Sequence, residues 1–94
     1  MNEVQISMHI NGLAEATEDA AKYKEPAYNP TMGEQEMLEA RVKYLNAQIM
    51  ACYYDRQLIQ CGIPRCDEGT LLEARDAYVK IRLATQERLD AITK

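Results

Sequence analysis

Residues 31–64, TMGEQEMLEARVKYLNAQIMACYYDRQLIQCGIP, decide the fold. Leu38, Val42, Leu45, Ile49, Cys52 and Ile59 recur at spacings of three and four, and Arg56 is the one break in the stripe. That period lines one side of an α-helix with apolar groups. Thr31 stands three residues before Glu34, the reciprocal pair in which each side chain satisfies a free backbone donor, and this predicts the helix start. Cys61-Gly62 followed by Pro64 predicts the stop, because glycine takes the left-handed closing position and proline blocks continuation. The span is roughly 29 residues, or about 43 Å.

A second helix follows the same logic. Asp67 is placed to cap it, Gly69 and Thr70 occupy its first turn, and Leu71, Ala74, Tyr78, Ile81, Thr85 and Ile92 trace an apolar face. The stretch from Gly62 to Cys66 is short enough to make the two helices antiparallel neighbours. Upstream, the pattern is mixed. Val4, Ile6, Met8 and Ile10 alternate as in a strand, while Ile6, Ile10 and Leu13 also fit helical spacing. From Leu13 to Tyr23 the alanines favour a helix, with Asn11-Gly12 as its start and Asn11 as cap. Pro26 and Pro30 then predict a turn that leaves the helix and holds Tyr28 between two prolines. The expected fold is all-α: a long antiparallel helical hairpin over 31–94, preceded by a short N-terminal helix and Pro-bounded arm over 1–30, in one domain.

Size and composition agree. Ninety-four residues, 47% hydrophobic and 28% charged, with four Gly and three Pro, suit one small folded domain and exclude a disordered or collagenous chain. Residues 1–30 carry net −3, residues 31–61 net −1, and residues 62–94 are neutral, which gives −4 overall. An acidic balance argues against tracking extended nucleic acid; one small anion needs only a few cations. No basic-then-apolar leader and no apolar run of about 18 residues is visible. Three cysteines, Cys52, Cys61 and Cys66, form no secreted-scaffold pattern. The reading is a reduced, soluble, cytoplasmic protein.

The hairpin carries more apolar surface than it can hide by itself. A second stripe on the first long helix comprises Met37, Tyr44, Ala51 and Leu58; one on the next comprises Leu72, Val79 and Leu83. Each buried Leu-sized side chain is worth about 1.5–3 kcal/mol, so leaving both stripes wet forfeits much of a small domain's stability. The N-terminal helix covers part, and copies of the chain cover the rest, which predicts a homo-oligomer.

Chemistry-bearing residues are sparse. His9 is the sole histidine, and no acid or nucleophile stands at a readable spacing from it. Serines and threonines match no nucleophile-elbow or phosphate-loop pattern. For zinc, Cys61 and Cys66 would need two further ligands, and only Cys52 and His9 remain; the plainer reading is small apolar residues at a helix junction. The carboxylates interleave with Arg and Lys at helical spacing, as in Glu39 and Lys43, which describes a solvated helix face. No enzyme, cofactor or metal signature results. Tyr23 and Tyr28 differ from the helical tyrosines because they bracket the proline turn, with Lys22, Lys24, Arg41 and Lys43 nearby. One reading makes Tyr28 a stacking platform for a flat anionic ligand; the other makes it a clip folded onto the first turns of the long helix.

Tyr28 next to a proline-containing turn, Gln35 seven residues on, Lys43 fifteen on, then Ile63-Pro64-Arg65 and Gly69-Thr70 at the hairpin turn, resemble the phage anti-CBASS cyclic-nucleotide sponge family. Its helical hairpin is shared with anti-Thoeris sponges. The resemblance implies a non-enzymatic immune evasion protein, assembled as a hexamer in the host cytoplasm, that sequesters cyclic di- or trinucleotides between protomers. It implies that Tyr28 stacks on a base, flanked by Asn29 (where the family usually has His) and Pro30, while Lys43 pairs with phosphate. A second pocket type at three-fold axes would direct Arg65 and Thr70 to phosphates. The alternative expectation is a small helical protein–protein interaction module that docks on a larger target.

Overall fold

The structure, a computed structural model, describes residues 3–94 and is all-helical: α1 (Glu3–Ala27), α2 (Glu34–Gln60) and α3 (Glu68–Thr93). The three form a rod of 46 × 22 × 20 Å. α2 is the middle member. It packs against both α1 and α3, whereas α1 and α3 make no backbone approach to each other. Cross-links set the directions. His9 and Gly12 meet Tyr54, and Ala27 meets Arg41, so α1 runs antiparallel to α2. Glu34 pairs with Arg88, and Arg56 with Glu68, so α3 is antiparallel to α2 as well.

α1 corrects the expectation of a short helix. It is 25 residues long, begins at Glu3 and passes through Gly12 without interruption. Residues 1 and 2, which belong to the segment left open between strand and helix, lie outside the described residues. Its inward set is Ile6, His9, Leu13, Ala16, Ala20, Tyr23 and Ala27, a three-four stripe of which the alanines at 16, 20 and 27 are buried. Val4, Met8 and Ile10 are exposed, so their alternation reflects no strand. Pro26 lies inside the last turn. There a missing N–H forfeits a single ladder bond, and the helix ends one residue later.

The turn from Tyr28 to Gly33 is built on Asn29. Its Oδ1 accepts from the Thr31 backbone N–H (3.0 Å) and hydroxyl (2.7 Å), a side-chain mimic of a backbone turn. Thr31 is therefore not the cap of α2. Gly33 is, without a side-chain hydrogen bond, and Glu34 turns to Arg88 instead of back to Thr31. The other ends follow the sequence reading. Gly62 sits at φ 86, with Gly62 N–H donating to Ile59 and Ile63 N–H to Leu58, the paired bonds of a left-handed helix closure. Asp67 caps α3 by accepting from Thr70 N–H at 3.0 Å.

The core is narrow. Leu38, Leu45 and Leu58 are its only large, fully buried side chains among the described residues. On α3 the expected inward face holds at Leu71 and Thr85, and the Thr85 hydroxyl is satisfied by the Ile81 carbonyl. Ile81 and Ile92 correct it: they are 47% and 40% exposed, and Leu89 is buried instead. Met37, Tyr44 and Ala51 of the second α2 stripe are half-buried and Leu58 is buried, while Leu83 on α3 remains exposed. The accessible surface is 6223 Å² for 10.7 kDa. A compact monomer of that mass exposes about 5,500 Å². None of the described helices is long and apolar enough to cross a membrane.

Candidate functional site

The residues singled out in sequence fall into three places. Tyr28 stands on the α1–α2 turn with its ring half in solvent (52% exposed). The Arg41 guanidinium lies 4.7 Å from the ring centroid, and Tyr44 meets the ring edge-on at 5.9 Å. Arg41 is fixed in that position because its Nε donates to the Ala27 carbonyl at 3.0 Å, which also satisfies an end carbonyl of α1. The turn thus presents an aromatic ring backed by a held cation. The clip reading and the platform reading are both visible in one residue: Tyr28 does pack on the first turns of α2, and it still offers surface to solvent. Asn29 is committed to shaping the turn, and Pro30 is exposed beside it.

Lys43 is elsewhere. Its ammonium lies 5.4 Å from the ring centroid of Tyr23, along a groove between α1 and α2 whose lining does not include Tyr28. Within one chain, then, Tyr28 and Lys43 do not converge; Tyr28 is served by Arg41 and Lys43 by Tyr23. Arg65 and Thr70 are at the α2–α3 turn. Arg65 Nε is paired with Asp55 at 2.9 Å, and the Thr70 hydroxyl donates to Asp67 at 3.2 Å. Arg65 also lines a shallow cleft with Ile59 and residues 62–66.

Two groups are perturbed, the buried Cys52 and the half-buried Tyr78. Burial, then the neighbouring Asp55, raises the Cys52 thiol above its ordinary value, which disfavours the thiolate. Burial also raises the Tyr78 phenol, with Tyr44 as the next contributor. No cluster of three His, Cys, Asp or Glu side chains is arranged to hold a metal among the described residues.

Sequence reasoning missed the α1–α2 groove. Its floor is Ala16 and Ala47, Tyr54 closes one end over Gly12, and Tyr23 stands at the other. The available signal was Gly12. A glycine inside a helix costs about 1 kcal/mol relative to alanine, so its presence points to a side chain lying directly on the backbone. No protein-family model, curated protein or solved structure matches this chain.

Proposed function

We propose that this is a non-catalytic, phage-type immune evasion protein that assembles with copies of itself and sequesters a cyclic di- or trinucleotide messenger where copies meet. The observation that carries the reading is the half-exposed Tyr28 ring backed by Arg41. An aromatic face next to a positioned guanidinium is the pairing that a stacked base and its phosphate require. Arg41 supplies the cation from the same protomer, and Lys43 supplies one to a ligand held by a neighbouring copy. The exposed ring and its held cation support a binding surface completed by assembly.

Calorimetry with cyclic di- and trinucleotides tests it. Tyr28→Ala and Arg41→Ala are each expected to weaken binding by at least about tenfold, the loss of one stacking or charge-assisted contact. Light scattering should show the oligomer intact in both variants. Absence of binding by the parent protein, or full binding by Tyr28→Ala, overturns the reading. The exposed Val4 and Met8, one turn apart on α1, favour a second reading, an interaction module that docks on a larger protein. A stable monomer by light scattering selects that one.

A further inference from the structure

The α1–α2 groove has a volume of about 320 Å³ and a chemistry the nucleotide reading does not use. Ala16 and Ala47 make it apolar underneath, and the exposed Met50 adds an apolar side chain to its lining. Its ends are aromatic, Tyr54 above Gly12 and Tyr23 further along. Gly12 and Tyr23 are eleven residues apart on one helix, or about 16 Å. Between them Glu15 and Asp19 line the α1 side, and neither forms an ion pair among the described residues. We propose that this groove binds a linear aliphatic polyamine, with its ammonium groups on Glu15 and Asp19 and toward the Tyr54 ring and its methylenes along Ala16, Ala47 and Met50.

Complementarity argues for that ligand class over others. An ionised carboxylate only accepts hydrogen bonds and an ammonium only donates them, so the two acids select a cation. Glu15 and Asp19 are four residues apart on one helix face, which sets their Cβ atoms about 5–6 Å apart. That separation suits the two ends of a butane-1,4-diamine unit. An apolar floor favours methylenes and gives nothing to a hydrated inorganic ion. Aromatic faces attract alkylammonium groups, and here the chain's own lysines show it: Lys22 and Lys43 place their ammonium groups 5.2 and 5.4 Å from the Tyr23 ring centroid. Tyr23 is therefore occupied from within. An incoming polyamine extends from Asp19 past Glu15 to Tyr54.

Lys43 separates this inference from the nucleotide reading, because it has opposite signs in the two. For a cyclic nucleotide Lys43 is an attractive partner. For a polyamine it is a like charge standing in the groove. Calorimetry with spermidine and with butane-1,4-diamine is expected to show saturable binding that weakens as salt is raised. The double variant Glu15→Gln, Asp19→Asn should lose roughly tenfold or more in affinity, as removal of two charge-assisted contacts requires. Lys43→Ala should bind spermidine several-fold more tightly, in a protein whose helical signal is unchanged. Magnesium at equal concentration should fail to displace spermidine. The proposal is overturned if millimolar spermidine gives no binding, if the double variant binds like the parent, if Lys43→Ala weakens binding, or if magnesium competes on equal terms. Cyclic-nucleotide binding measured on the same variants stands or falls separately.

Discussion

α2 is held on two sides by seams of opposite character. Toward α1 the buried residues are mostly small: Ala16, Ala20 and Ala27 on one helix, Ala40 and Ala47 on the other, with Leu58 on that same face of α2 near its end. Toward α3 they are large. Cys52 shares a crevice with Leu71, and Leu45 and Leu38 lie one and two heptads earlier on the same face of α2. The leucine seam stabilises by the apolar area it removes from water. The alanine seam removes less per residue, but it lets two backbones come close. Alanine also cannot fill the margin of the seam, so a groove with tyrosine ends opens along it. A single helix thus has one side that holds the fold and one that creates a recess.

Two substitutions should break that contrast from either end. Leu45→Ala empties a fully buried position of the large seam. It is expected to cost about 2–5 kcal/mol, read as a lower midpoint in urea unfolding. A cost near zero would mean that α3 contributes little to the fold. Ala47→Leu fills a small seam instead and is expected to cost about 1–3 kcal/mol by overpacking. It should also abolish any binding in the α1–α2 groove, whose floor it raises. Retained stability in that variant would show that α1 and α2 are not in close approach.

The same contrast explains what was legible in the sequence. Leu38, Leu45 and Cys52 announce themselves by size and period, and the stop at Gly62 and the start at Asp67 are local chemistry that needs no tertiary partner. α1 was harder because alanine is at home on any helix face and carries no directional signal. Its inward stripe is diluted by His9 and by alanines, while the apolar Val4, Met8 and Ile10 point outward and mimic a strand. The Thr31–Glu34 pair matched a local pattern, yet Asn29 took the threonine and Arg88, 54 residues away, took the glutamate. A distant partner of that kind is invisible to spacing rules. At the candidate site, Tyr28 was readable from its position between prolines. Its Arg41 backing and the diversion of Lys43 to Tyr23 depend on where α1 ends, which the prolines alone placed too early.

The smallest expected effect is the most diagnostic of the alanine seam. A Cβ built on Gly12 falls 2.8 Å from Cε2 of Tyr54 and nearer still to its Cζ, so the phenol ring lies on the bare backbone. Two opposing quantities act on Gly12→Ala. Helix propensity gains about 1 kcal/mol, and displacing the ring costs about 1–3 kcal/mol. The ring is stiff and already in contact with His9 and Tyr53, so it has little room to withdraw. The net expectation is a loss of up to about 2 kcal/mol in the parent protein. In a Tyr54→Ala background the obstacle is gone, and the same substitution should stabilise by about 0.8–1 kcal/mol. The change of sign across the cycle, followed by urea unfolding of the four proteins, isolates the contact from the propensity. Equal stabilisation in both backgrounds would place the Tyr54 ring elsewhere, and the groove would lose one of its two aromatic ends.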